Sequence, residues 1–134
     1  MTLVWGIAIL ALVMLAYIRL APSRPEIWHV PPKVEADKTF GNGVTRRVMT
    51  GAGGLERFQA IAAADPRTDV LAGSVDSGMI TFISRTRMVG FPDYTTVQQD
   101  GEEVLIYARS RFGRRDFGVN ATRVDAWIDA LRAY

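Results

Sequence analysis

Tyr94-Thr95-Thr96-Val97-Gln98-Gln99-Asp100-Gly101-Glu102-Glu103-Val104-Leu105-Ile106-Tyr107-Ala108-Arg109-Ser110-Arg111-Phe112 is the stretch that decides the fold. Asp100-Gly101 is a strong hairpin signal, since tight hairpin turns need residues that tolerate positive φ. Tyr94–Gln98 reads as a strand before it, and Val104–Phe112 alternates at period two after it. Upstream, Met79–Met88 alternates in the same way. Three strands joined by short turns predict an antiparallel meander.

Further out, Thr68–Ala72 is short and apolar, and Gly73–Gly78 carries turn residues. Val44–Thr50 reads as a first strand, with Val44 and Val48 inward and Arg46 outward. A helix is predicted over Leu55–Ala64, where Leu55, Phe58, Ile61 and Ala62 share one face before Asp65-Pro66 ends it. The last element places Val124, Trp127, Ile128 and Leu131 at i, i+3, i+4 and i+7. Asn120 is its expected N-cap, with Val119 and Val124 as a hydrophobic staple. Adjacent strands flanked by helices predict an α+β domain: an antiparallel sheet of about four to five strands with both helices on one face.

The start of the chain obeys a different pattern. Leu3 to Ile18 is an unbroken run of uncharged, mostly apolar residues, followed by Arg19-Leu20. As a helix, Leu3–Leu20 would extend about 27 Å, close to the thickness of a hydrocarbon core of about 30 Å. Trp5 and Tyr17 lie near its two ends, where amphipathic rings favour headgroups, and Arg19 can snorkel. Pro22 and Pro25 then end the helix. A cleaved leader fits less well. No basic residue precedes Leu3, the apolar run is longer than the usual apolar segment of a leader, and Arg19 stands where a cleavage site after Ala21 needs a small residue. No cysteine is available for lipidation. The expected division is a transmembrane anchor over 1–21, a Pro-rich juxtamembrane linker over 22–42 and an α+β domain over 43–134. In the linker, Trp28 is expected to pack on the domain or rest in the membrane interface. Arg19, Arg24, Lys33 and Lys38 follow the anchor and no Lys or Arg precedes it, which points the domain toward the cytoplasm.

Composition narrows the chemistry. A formal net charge of +2 gives no basis for nucleic-acid binding. With no Cys and a single His, His29, the inventory excludes thiol catalysis, iron–sulfur ligation and multi-His metal sites. No cofactor or metal is expected. Gly51-Ala52-Gly53-Gly54 follows a strand and opens a helix, but it lacks both the dinucleotide and the P-loop spacing, so it reads as a plain connection. Arg85 and Arg87 share one face of their predicted strand, as do Arg109 and Arg111, and Arg114, Arg115 and Asp116 follow. Guanidinium forks suit carboxylates and phosphates. These residues are therefore the candidate anion- or partner-binding set, against the plainer reading of a solvated, charge-paired sheet face. Asp93 and Asp116 are the only carboxylates singled out for acid/base work, and no nucleophile elbow accompanies them.

Arg109-Ser110-Arg111-Phe112-Gly113-Arg114-Arg115-Asp116-Phe117-Gly118-Val119-Asn120, followed by Arg123-Val124, resembles the C-terminal signature of the domain-of-unknown-function family numbered 1499. Arg19–Ser23, Trp28-His29-Val30 and Gly90–Val97 are similar to its membrane-anchored alphaproteobacterial members. The resemblance implies a bacterial envelope protein and no particular activity. Read physically, Gly113 and Gly118 bracket a tight corner, with Phe117 and Val119 expected to enter the core and Asp116 to hold arginines or backbone amides. The expectation is a single-pass protein of the bacterial inner membrane. Its domain would act as an accessory that binds a protein partner at the bilayer without catalysis. The competing expectations are recognition of an anionic ligand or lipid headgroup by the arginines, and an unrecognised hydrolase.

Overall fold

The computed structural model describes all residues, 1–134. Ten elements follow in order: α1 (Thr2–Leu20), α2 (Pro25–Trp28), β1 (Lys38–Phe40), β2 (Gly43–Met49), α3 (Gly54–Ala63), β3 (Thr68–Ser74), β4 (Met79–Arg85), β5 (Pro92–Asp100), β6 (Glu103–Ser110) and α4 (Val119–Arg132). The strands form one antiparallel sheet in the order β1-β2-β6-β5-β4-β3. The fold is α+β, as the meander predicts, and β4-β5-β6 is that meander.

The sheet has six strands, more than expected. The additional one, β1, falls inside the region read as linker. It has three residues, all exposed, and therefore carries no alternation to read. The linker also holds a single helical turn, α2, started by Pro25. Proline is suited to that first position because its fixed φ is already helical and its missing N–H would have no partner there.

Successive residues of a strand face opposite sides, so each strand splits into two sets. One set meets α3 and α4. Val44, Val48, Ile80, Phe82, Val97, Val104, Ile106 and Ala108 pack against Leu55, Phe58, Ala62, Val124, Trp127, Ile128 and Leu131 in one core. Phe58 is its centre, with ring centroids 5.9 Å from Phe82 and 5.7 Å, edge-on, from Trp127. Each fully buried side chain of this kind contributes about 1.5–3 kcal/mol relative to exposure.

The entry to α4 departs from expectation. Its N-cap is Gly118, at φ 79°, not Asn120, and Val119 is the first helical residue. Val119 remains 39% exposed and so does not staple the helix, and Phe117 is 92% exposed at φ 54° instead of entering the core. The capping oxygens come from Asp116, which accepts from the Gly118 N–H at 2.9 Å and the Asn120 N–H at 3.2 Å. A carboxylate at a helix start also opposes the positive end of the helix dipole. β4 ends at Arg85, so Arg87 falls in the following turn and does not continue Arg85's strand face.

The Gly51–Gly54 connection is closed by a side chain from β5. Gln99 accepts from the Leu55 N–H at 2.9 Å and donates to the Gly51 carbonyl at 3.0 Å. The amide that opens α3 is therefore already partnered within the fold.

Candidate functional site

The sheet face away from α3 and α4 carries Thr81, Tyr94, Thr96, Tyr107 and Arg109. The register sets Tyr94 beside Arg109 and Thr96 between Thr81 and Tyr107. The segment after α1 crosses this face. Trp28 stacks on Tyr94 with ring centroids 4.0 Å apart and planes at 17°. Arg109, only 7% exposed, lies beneath it. One guanidinium nitrogen of Arg109 donates to Thr96 Oγ1 at 2.8 Å and to the Tyr107 carbonyl at 3.1 Å, and the other donates to the Trp28 carbonyl at 2.6 Å. The guanidinium also sits 4.7 Å from the Tyr107 ring centroid and 5.5 Å from that of Trp28, within cation–π range. Burial pulls Arg109 down to about 10, so it is still cationic at neutral pH.

His29 extends this network. Its Nδ1 lies 2.8 Å from Thr81 Oγ1, which lies 2.9 Å from Thr96 Oγ1, and Thr96 donates to the Trp28 carbonyl at 3.2 Å. His29 Nδ1, Thr81 and Thr96 form one hydrogen-bonded chain that ends on the Trp28 carbonyl. His29 is thus a polar partner of the Trp28 contact.

Near the end of α1 the chain is fastened again. Arg19 donates to the Val89 carbonyl at 3.0 Å and the Met88 carbonyl at 2.8 Å. Arg111 donates to the Pro22 carbonyl at 3.0 Å and to the Tyr94 hydroxyl at 3.3 Å, and Ser23 Oγ is 2.7 Å from that hydroxyl. Tyr17 meets Phe112 edge-on at 6.0 Å, and Ile18 and Ala21 are buried. Of the residues expected at the membrane interface, Tyr17, Arg19 and Trp28 thus touch the domain, and Trp5 is exposed near the far end of α1.

The six candidate arginines sort into two groups. Arg85, Arg109 and Arg111 are held by internal partners; Arg85 donates to the Gly90 carbonyl at 3.1 Å. Arg87, Arg114 and Arg115 are exposed in the two loops beside α1 and form no ion pair. Arg85 and Arg109 lie in β4 and β6 and Arg111 follows β6 by one residue, whereas Arg87, Arg114 and Arg115 lie farther out in the loops.

A cavity of about 400 Å³ opens between these same loops, walled by Phe91, Phe112, Phe117 and Val119 with Asp93 and Asp116 at its polar side. Asp93 is 2% exposed and accepts from Arg123 at 3.3 Å. Burial raises its carboxyl, while hydrogen bonding from Ser110, opposite it in register, and the charge of Arg123 oppose that rise. Asn120 bridges Ser110 at 3.0 Å and Asp116 at 2.9 Å. Both acid/base candidates are therefore tied into structural roles, Asp93 to Arg123 and Asp116 to the start of α4. No three His, Asp or Glu side chains converge as a metal site would require.

A comparison with curated proteins finds no match. Residues 31–131 match the sequence model of the family described as "Protein of unknown function (DUF1499)", which covers β1 to the last turn of α4 and the whole arginine-bearing corner, and the chain belongs to that family.

Proposed function

We propose that this is a single-pass protein of the bacterial inner membrane whose α+β domain is a tethered, non-catalytic binding module for a protein partner in or at the bilayer. One observation carries the reading: α1 is long and apolar enough to cross a membrane and almost wholly uncovered by protein, yet its last turn is built into the domain. A discarded leader has no need of the Arg19 contacts to the β4–β5 turn, or of buried Ile18 and Ala21. A permanent anchor does, because these contacts set the angle at which the domain meets the bilayer. The basic residues that follow α1, Arg19, Arg24, Lys33 and Lys38, support a cytoplasmic side for the domain.

The test starts with membranes washed in alkaline carbonate. The chain should stay in the pellet, and its intact mass should include residues 1–21. A mass beginning near Pro22 would sink the anchor. For sidedness, a Ser77→Cys label on this cysteine-free chain should react with an impermeant maleimide only after lysis. Crosslinking in gently solubilised membranes should capture a reproducible partner, and a chain that always runs alone would remove the accessory role.

A further inference from the structure

The corner at which α1 joins the domain has three features that its own folding does not explain. The first is Phe117, 92% exposed at φ 54°. A non-glycine residue in this region is uncommon and strained. The conformation is enforced from both sides: the Asp116 N–H donates to the Gly41 carbonyl at 2.9 Å, and the Asp116 carboxylate holds the Gly118 N–H. The fold thus keeps a large apolar ring in water on a pinned backbone. The second feature is Met88, 84% exposed at the tip of the β4–β5 turn, whose carbonyl and that of Val89 bind Arg19. The third is the set of unpaired, exposed cations Arg87, Arg114 and Arg115 in the same two loops. Both loops line one cavity, so they are adjacent in space. Both also abut the last turns of α1: the first through Arg19, the second through Tyr17 and Phe112.

We propose that this corner is a second membrane contact, resting on the anchor reading above, in which Met88 and Phe117 enter the interfacial layer and Arg87, Arg114 and Arg115 meet the phosphates of anionic phospholipids. Apolar tips beside basic residues are the pairing that interfacial binding uses, and each basic side chain near an anionic surface adds attraction that falls off within a Debye length. The geometry is continuous with the span, because the surface begins where α1 ends. The domain is then held to the bilayer at two points.

The chain has no cysteine, so single nitroxide labels can be placed at Leu10→Cys, Asp76→Cys, Met88→Cys and Phe117→Cys in the full-length protein. Asp76 lies in the β3–β4 turn, at the opposite end of β4 from Met88, and serves as the aqueous reference. Labels are read in phosphatidylcholine vesicles with and without phosphatidylglycerol. The expected result is several-fold lower access of a water-soluble nickel relaxant to 88 and 117 than to 76. This protection should increase with phosphatidylglycerol, and the combined Arg87→Gln, Arg114→Gln and Arg115→Gln variant should lose that increase. Equal access at 76, 88 and 117, with Leu10 shielded in lipid, overturns the second contact and leaves the anchor standing. Access at Leu10 itself overturns the anchor and this proposal together. Protection that disappears when protein is diluted into more lipid marks contact between copies and also overturns it.

Discussion

The two faces of the sheet are covered by different means. On one, α3 and α4 bury an apolar layer centred on Phe58, Phe82 and Trp127. On the other, a few residues between α1 and β1 are stitched down by Trp28 on Tyr94 and by the hydrogen bonds of Arg109, Thr96 and Thr81. The helices contribute through area, which is additive and non-directional. The linker segment buries few apolar side chains, so directional contacts hold it, each worth about 0.5–3 kcal/mol. The first face makes the domain stable. The second fixes where the domain sits relative to α1.

The comparison can be broken from the stronger side first. Phe58→Ala should cost about 3–5 kcal/mol, as other buried aromatic truncations do. Chemical unfolding of the detergent-solubilised chain, followed by near-ultraviolet circular dichroism, should show the entire domain weakened. A loss under about 1 kcal/mol would mean that this face does not dominate stability.

Arg109→Met tests the other face. It keeps the stem and removes the donors to Thr96, Tyr107 and Trp28, and it should cost roughly 1–3 kcal/mol. The more telling readout is local. Trypsin should cut after Lys33 several times faster, while the core unfolds cooperatively as before. Unchanged cleavage would show that the segment is held without Arg109.

Asp93 sharpens the contrast through pH, since it is a carboxyl on the helix-covered face. Burial raises it above its ordinary 3.8, so the folded chain holds this proton more tightly than the unfolded chain. Its contribution is fully present below 3.8 and is lost as pH rises through the raised value. The stability of the natural chain minus that of Asp93→Asn should therefore fall with rising pH across that interval. A flat difference would show that Arg123 and Ser110 cancel the cost of burial.

The smallest effect belongs to the rim. Arg46 does not point outward as expected: at period two it shares the face of Val44 and Val48, where it pairs with Asp125 of α4 at 2.9 Å, with the aspartate half exposed. Asp125→Ala should cost about 0.2–1 kcal/mol in the same unfolding assay and less at high salt.

How much of this was legible beforehand differs by element. The pattern of α4 was readable because Val124, Trp127, Ile128 and Leu131 repeat at the helical period, and all four are buried. The hairpin at Asp100-Gly101 was readable because turn chemistry is local. β1 was hidden by its length and exposure. The cap of α4 was misplaced because Asn120 is as good a capping residue as Asp116 on propensity alone. The corner geometry chose Asp116, which Gly41 anchors from another turn. At the candidate site, the arginines were visible as a group, but their division was not. Whether a guanidinium faces solvent or lies beneath Trp28 depends on a chain segment about eighty residues earlier.

The sequence alone determined an apolar first helix, an antiparallel meander and two amphipathic helices, because hydrophobic periodicity and turn preference are properties of neighbouring residues. Tertiary structure decided which arginines are held internally, which tryptophan contact fastens the linker, and that Phe117 stands in solvent beside the end of α1. Those outcomes rest on contacts between residues far apart in the chain, whose hydrogen bonds and burial arise only once the sheet has brought them together.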